Sequence, residues 1–408
     1  MSRALPSMLD AERTVDPAGY ALGGRAPRMA LKPGSADEAA LALEAATRDH
    51  AAVIAWGAGT RIARDRVPER YDIALDLSGL DRILEYNPED FTLTAECGAT
   101  LATLRQTLAA RGQELPLESP QAARATLGGT LAANASGPRR LRFGAPRDRI
   151  LGARIALADG TRIKSGGKVV KNVAGYALHR LLCGARGRWG LFLEASLKLA
   201  PGAESRVALL YSIGAGEIAD AERWRFLPRL EPAFVTVLGA QAAQELPLQA
   251  GLIPPFAMVI GLEDDAAWVA EQERIIAEHL GLPIARLEGE AQAALVQKLT
   301  DAELHLSPRV SFTSAHNNPA ILAPLISTEG AGQFVHHVLA GRLHWYPRAS
   351  GTMPAEGSAL FAAFGFTVIE SVGVRYEPAE PAEGAILALR ARIGEALDPI
   401  GTLQVPGR

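Results

Sequence analysis

The sequence predicts an α+β fold in two parts, and three observations predict it. Strand-like segments and capped amphipathic helices alternate through the first two hundred residues. A glycine-dense stretch from Ala125 to Ala200 lies between segments of strong strand character. After Pro201-Gly202 the character changes to strands interleaved with long helices, ending in a C-terminal helix. Residues 1–204 are therefore assigned to a ligand-holding domain. Residues 205–408 are assigned to a smaller α/β cap with one antiparallel sheet and helices on one face.

The elements follow in order. Residues 1–28 read as irregular, and Met29–Leu31 as a short strand. Ser35-Ala36-Asp37-Glu38 has capping-box form, in which the serine oxygen takes a backbone N–H and the glutamate reaches back. The helix it opens carries Ala40, Leu41, Leu43 and Ala46 and ends near His50, before the strand Val53–Ala55. These three elements make a βαβ unit. Ala74–Leu77 and Phe91–Glu96 read as strands. Thr100 caps a helix carrying Leu101, Leu104 and Leu108, which Gly112 ends. Ile155–Leu157 and Thr161–Lys164 flank Ala158-Asp159-Gly160, a hairpin signal. Leu178–Leu182 is a short helix and Leu191–Leu199 a clean alternating strand. In the second half, strands fall at Arg206–Ile213, Ala233–Leu238, Phe256–Leu262, Val310–Thr313, Gln333–Leu339 and Ala363–Val368. Helices fall at Asp264–Leu280, Gly289–Leu299 and Gly384–Leu397.

The glycines carry the functional reading. Glycine costs conformational entropy and is kept where a side chain would collide or where φ must be positive. Trp56-Gly57-Ala58-Gly59-Thr60-Arg61 leaves a buried strand with two glycines, so successive N–H groups can face one anion, with Arg61 adding charge. An ordinary tight turn is the plainer alternative. It is not the Rossmann fingerprint, because the third glycine and the acidic strand end are missing. A flat ring system with a phosphate tail suits both this loop and the turn Thr126-Leu127-Gly128-Gly129.

The totals exclude several classes. The chain has 408 residues, a net charge of −3 and two cysteines, Cys97 and Cys183. The charge gives no bulk attraction to nucleic acid or anionic lipid. The cysteines fit no metal spacing, read as buried small hydrophobes, and make a reduced, cytoplasmic setting the default. No apolar run is long enough for a signal peptide or a membrane span. No Gly-x-Ser-x-Gly elbow, His-Glu-x-x-His pair or Walker lysine is present.

The central motifs resemble the FAD-binding half of the vanillyl-alcohol oxidase/PCMH-type family, and within it the glycolate oxidase FAD-binding subunits. The resemblance is carried by Ala125-Thr126-Leu127-Gly128-Gly129, Ala132 to Arg140, Arg147-Asp148 and Gly166 to Tyr176. Leu77 to Leu80, Pro88-Glu89-Asp90, and Gln113 with Leu115-Pro116 agree with it. It covers residues 29–200 well. In the second half only Gly341 to Trp345, Asp398-Pro399 and Pro406 to Arg408 echo it. The resemblance implies a PCMH-type FAD-binding domain and non-covalent FAD. The amides of Gly57, Ala58, Gly59, Thr60 and Arg61 would hold the pyrophosphate. Thr126, Gly128 and Gly129 would lie along the ribityl chain and pyrophosphate. Asn134, Ser136 and Gly137 would run beside the flavin, supported by Arg147 and Asp148. Gly187 to Leu193, including Gly190, would close the adenine and ribityl side. It also implies a small 2-hydroxy acid substrate, a catalytic flavoprotein subunit and an iron–sulfur subunit as partners, and membrane contact only through them. A stand-alone dehydrogenase and a flavin-free structural subunit are the alternatives.

The departures are specific. Ala177 stands where the family has aspartate. The loop Gly184 to Gly190 carries Arg186, Arg188 and Trp189, which would stack on adenine, face a partner or weaken the site. The arginines at 139, 140, 142, 147 and 149, and the pair Lys168 and Lys171, read either as a solvated face or as contacts to phosphates or an acidic partner. His336-His337 on a strand point to opposite faces, one to the surface and one packed. No catalytic residue and no metal ligand is assigned.

Overall fold

The computed structural model describes residues 13–62, 67–168, 175–245, 256–305, 309–314, 322, 333–340, 342–346, 351–353, 366–372, 374–376 and 383–405. The chain forms two units. The first takes Met1–Ala135, Ala145–Gly202 and Ala382–Arg408; the second takes Ser136–Gly144 and Ala203–Pro381. The backbone thus passes between units four times rather than once near residue 204. Val169 to Ala174, including Lys171, lie outside the described residues, as do Gly341 and Pro406 to Arg408.

The first unit opens with β1 (Thr14–Val15), β2 (Met29–Leu31), α1 (Ala36–Arg48), β3 (Val53–Trp56) and β4 (Ile73–Asp76). Its first sheet has the order β1-β2-β4-β3, with β4 parallel to both β2 and β3. The βαβ crossover is therefore real, but β4 is inserted between its two strands. Ser35 caps α1 by accepting from the Glu38 amide at 3.2 Å, while the Glu38 carboxylate takes the Gly34 amide at 2.8 Å. Alanines and Leu43 on the inner stripe of α1 pack on Val53, Ile73 and Leu75.

The second sheet uses β5 (Ile83–Asn87), β6 (Thr92–Glu96), β7 (Ile150–Ala156), β8 (Arg162–Gly166) and β9 (Leu191–Lys198). Its order is β5-β6-β9-β7-β8, all antiparallel. The β7–β8 hairpin turns at Gly160, with φ +82°. Helix α2 (Leu101–Ala109), capped by Thr100, buries Leu101, Leu104 and Leu108 beside this sheet. The C-terminal helix Glu383–Leu397 belongs here because Ile393 and Leu397 pack into the same core. Asp398 then accepts from the Thr402 and Leu403 amides at 2.8 and 2.7 Å, and Leu403 makes a parallel bridge with Val53.

The second unit is built on an eight-stranded antiparallel sheet, with Gly351–Met353 and Val374–Tyr376 forming a separate parallel pair. The sheet's strands are β10 (Ser205–Ile213), β11 (Phe234–Gly239), β12 (Phe256–Asp264), β13 (Ala285–Glu288), β14 (Arg309–Ser314), β15 (Gln333–Val338), β16 (Arg342–Tyr346) and β17 (Phe366–Val372). The order is β13-β10-β12-β11-β15-β16-β14-β17. Helices α4 (Ala266–Leu280) and α5 (Gly289–His305) cover opposite faces, which corrects the expectation of helices on one face. The reason is legible in β10: Val207, Leu209 and Tyr211 enter the core that includes α4, whereas Ala208 and Leu210 enter the core that includes α5. A run apolar at every position has two faces to bury.

The histidine pair also differs from expectation. His336 and His337 are both buried, pointing to opposite faces of β15 as alternation requires, but neither reaches the surface. His337 shares a 2.9 Å hydrogen bond with the Thr236 hydroxyl and stands edge-on to His344, ring centroids 5.8 Å apart. Burial pushes the His336 imidazole down to about 3, with His337 adding to the shift.

Candidate functional site

The two glycine turns meet within the first unit. A Cβ on Gly57 would stand 2.3 Å from Thr126 Oγ1, so the loop leaving β3 lies directly against the start of helix α3 (Leu127–Ala133). Two cavities open beside this contact, sharing Gly57, Ala58 and Thr126 in their walls. The larger, about 440 Å³, is lined by Tyr20, Trp56, Asp76, Ser78, Asp81, Gly98, Thr100, Thr103 and Arg124 as well. The smaller, about 90 Å³, adds Gly59, Thr60, Arg61, Ile62, Gly129, Ala132, Ala133, Arg186 and Val405.

Each wall has a local cause. Gly59 has φ +69°, the left-handed geometry from which anion-binding turns are built. Thr126 caps α3 by accepting from the Gly129 amide at 3.2 Å. The Gly128 amide donates to the Cys97 carbonyl at 2.7 Å and the Leu127 amide to the Ala99 carbonyl at 2.8 Å. The first-turn amides of α3 are thus taken by protein acceptors. Gly128 is glycine because its Cβ would press on the Cys97 backbone at 2.9 Å, and it packs behind the cavity wall. Gly98 is equally constrained, since a Cβ there would stand 2.3 Å from the Leu77 carbonyl oxygen.

The larger cavity is bounded by a hydrogen-bonded set. Asp76 accepts from the Tyr20 hydroxyl at 2.6 Å and from the Ser78 amide at 2.9 Å. Trp56 Nε1 donates to the Tyr71 hydroxyl at 2.8 Å, which donates to the Tyr20 carbonyl at 2.9 Å. Burial, then the bond and charge of Asp76, push the Tyr20 hydroxyl well above its usual range. Arg124 donates to the Ala58 carbonyl at 3.3 Å, tying the helix approach to the loop.

The remaining sequence candidates are placed as follows. Asn134 ends α3 in the left-handed region, and its Oδ1 accepts the Arg147 amide at 3.3 Å. Asp148 accepts the Ala145 amide at 2.8 Å and caps the short helix Pro146–Arg149. Ser136 and Gly137 fall in the segment that belongs to the second unit, where the Ser136 hydroxyl accepts from Arg140 at 3.3 Å. Gly187, with φ +82°, sits beside Leu191 and Ala55. Gly190 packs on Ile155, 3.0 Å from its would-be Cβ. Trp189 is buried in the core with Leu182 and Phe192 and does not line either cavity. The Trp189 indole is therefore packed within the protein rather than presented to either cavity.

The arginine run lines neither cavity; Arg142 and Arg147 are exposed, whereas Arg139 is nearly buried. Arg139 forms a 2.9 Å ion pair with Glu263, the two side chains only 12 % and 2 % exposed. Arg142 pairs with Asp264 at 2.8 Å. Both bonds lie within the second unit and fasten the strap Ser136–Gly144 to β12. Lys168 pairs with Glu85, which holds that carboxyl below its ordinary value.

Tyr20, Asp76, Asp81, Thr103, Arg124 and Val405 escaped the sequence reading. Asp76 and Arg124 adjoin quoted motifs and were within reach. Val405 arrives only through the pairing of the C-terminal tail with β3.

The walls are small and backbone-rich, with a left-handed loop and flanking arginines, and the chain carries an FAD binding domain of the PCMH type. Residues 27–166 match the family model described as FAD binding domain. The chain is similar to glycolate oxidase subunit GlcE of Escherichia coli, 38 % identical over 148 residues, 36 % of this chain and 42 % of that protein. It is also similar to glycolate oxidase subunit GlcD of Bacillus subtilis, 30 % identical over 184 residues, 45 % of this chain and 39 % of that protein. The chain thus spans about two fifths of the length of these relatives. The structure of 4-ethylphenol oxidase from Gulosibacter chungangensis superposes with a TM-score of 0.71 at 14 % identity, covering 98 % of this chain and 94 % of that one. That likeness is one of fold.

Proposed function

We propose that this chain is the FAD-binding subunit of a complex that oxidises glycolate or a related small 2-hydroxy acid. Electrons would pass through the flavin to an iron–sulfur subunit, with a second flavoprotein subunit holding the substrate. The observation that carries the reading is the approach of Gly57 to Thr126, which shapes two adjoining cavities from backbone and small side chains. The larger is within the usual range for cofactor pockets. The likeness to GlcE and GlcD over the FAD-binding part supports the substrate class.

The residues present fit FAD. Gly57 to Arg61 would hold it by amide donors, with Arg61 adding charge, and Thr126 and Gly129 would line the groove beside it. When bound, the flavin would supply an electron carrier between the substrate-holding subunit and the iron–sulfur subunit. Thr126 holds the α3 turn rigid, and Arg124 holds the loop by its Ala58 bond. His336, His337 and His344 are packed inside the second unit's sheet, consistent with substrate chemistry residing on the partner subunit. No helix among the described residues is long and apolar enough to cross a membrane. Attachment to the inner face of the membrane through partners belongs to this proposal.

A stand-alone FAD-dependent 2-hydroxy acid dehydrogenase is the second reading. It is favoured by similarity to the D-lactate dehydrogenase of Archaeoglobus fulgidus, 33 % identical over 181 residues and 40 % of that protein. One preparation separates the two. The chain purified alone should show oxidised-flavin absorption. Bleaching by glycolate only after partner subunits are added supports the complex. Bleaching without them establishes the stand-alone enzyme, and a colourless chain that cannot be reconstituted with FAD overturns both.

A further inference from the structure

We propose that Arg186 and Arg61, facing one groove from two loops, grip the diphosphate of FAD, with Arg188 and Arg390 maintaining the positive potential there; this rests on the FAD reading above. Both arginines line the smaller cavity with Gly57, Gly59 and Thr60. The α3 turn forming the other side offers no first-turn amide to an anion, because Leu127, Gly128 and Gly129 donate to Ala99, Cys97 and Thr126. A dianion seated here is met by side-chain charge on that side. Guanidinium groups suit the task, since their planar forks match phosphate oxygens two at a time.

The loop is built to present Arg186. Its backbone sits at φ +56°, a conformation that arginine rarely adopts. Its amide donates to the Ala132 carbonyl at 2.9 Å, fixing the loop to the end of α3. Two residues on, Arg188 is half-buried. Burial and the neighbouring charges of Arg390 and Arg186 hold its guanidinium below the ordinary value. Arg390 comes from the C-terminal helix, whose Gly394 lies against Trp189, 3.7 Å from Nε1 to the would-be Cβ. Residue 390 is one turn before Gly394 and so shares that face. Three cations are gathered at one spot in a chain of net charge −3. Like charges repel and raise the free energy of the empty protein, and a bound dianion relieves that.

The test is an equilibrium titration of flavin-free protein. FAD is the ligand, riboflavin the probe lacking a diphosphate, and ADP the competitor lacking a flavin. Arg186→Asn keeps a residue tolerant of the left-handed turn. It should weaken FAD roughly ten- to a hundredfold, as expected for losing a charged hydrogen bond, and leave riboflavin unchanged. Arg186→Lys should recover part of the loss. ADP should displace FAD from the parent and compete poorly in Arg186→Asn. Arg390→Gln should lower FAD affinity without lowering the melting temperature of the empty protein. The assignment is overturned if Arg186→Asn binds FAD like the parent, or loses FAD and riboflavin alike. Arg390→Gln with intact affinity and a lowered melting temperature likewise overturns the part given to Arg390. A parent that binds neither flavin sinks the FAD reading, and this assignment with it.

Discussion

Gly57 lies so close to Thr126 that any β-carbon at position 57 would stand 2.3 Å from the threonine hydroxyl. The two residues are 69 positions apart in the chain and come from different elements, the loop leaving β3 and the cap of α3. Gly57→Ala must push the loop from the helix cap, costing about 1–3 kcal/mol as overpacking does. Thr126→Ala loses the cap on Gly129, about 1 kcal/mol. The double variant removes the clashing atom, so its loss should be smaller than the sum of the two. Denaturant unfolding of the four proteins measures this coupling. Strict additivity would show that the contact is not made.

Both glycine turns were legible because each announces itself locally, by glycines flanking a strand or a helix cap. Their meeting is expected only from reading both as holders of one diphosphate-linked flavin, since nothing local fixes the distance between residues 57 and 126. The same limit explains β4, which enters between β2 and β3 although β2 is not its neighbour in the chain. It also explains the strap. Arg139 to Arg142 read as free charge until Glu263 and Asp264, more than a hundred residues away, are placed beside them. The continuous apolar run of β10 signalled two buried faces, and the period of two that suggests one covered face does not apply to it.

The Arg139–Glu263 pair is nearly sealed from water, and Glu263 also accepts from Gln292 at 2.8 Å. Removing one partner strands the other charge. Arg139→Met should destabilise the protein by about 3–5 kcal/mol, whereas Arg139→Met with Glu263→Gln should recover much of the loss. Chemical unfolding followed by tryptophan fluorescence reports it, with Trp224 in the second unit's core. Equal losses in the single and double variants would mean that a stranded Glu263 charge is not the source of the loss.

Trp189 sits in the core with its indole Nε1 buried and without a hydrogen-bond partner among the described residues. Trp189→Phe removes the unsatisfied donor and some volume together. The two effects oppose, so stability should move by no more than about 1 kcal/mol. FAD affinity should stay unchanged, because the residue lines neither cavity. A large fall in affinity with preserved stability would return Trp189 to the cofactor.

The His336 imidazole supplies the pH dependence. In the folded chain burial first, and the neighbouring His337 second, depress it to about 3 from the ordinary 6.5. The unfolded chain therefore binds more protons between those values, and stability rises with pH across that window. The contribution of neutral His336 is fully present above about 6.5 and is lost as the pH falls toward 3. His179 shifts in the same direction through burial and Arg180, so the slope has at least two sources. His336→Gln replaces the titrating ring by a neutral polar side chain. Its melting temperature should be lower than the parent's at neutral pH and should fall less steeply on acidification through that window. Parallel melting curves for parent and variant across that range would show that His336 does not titrate against burial.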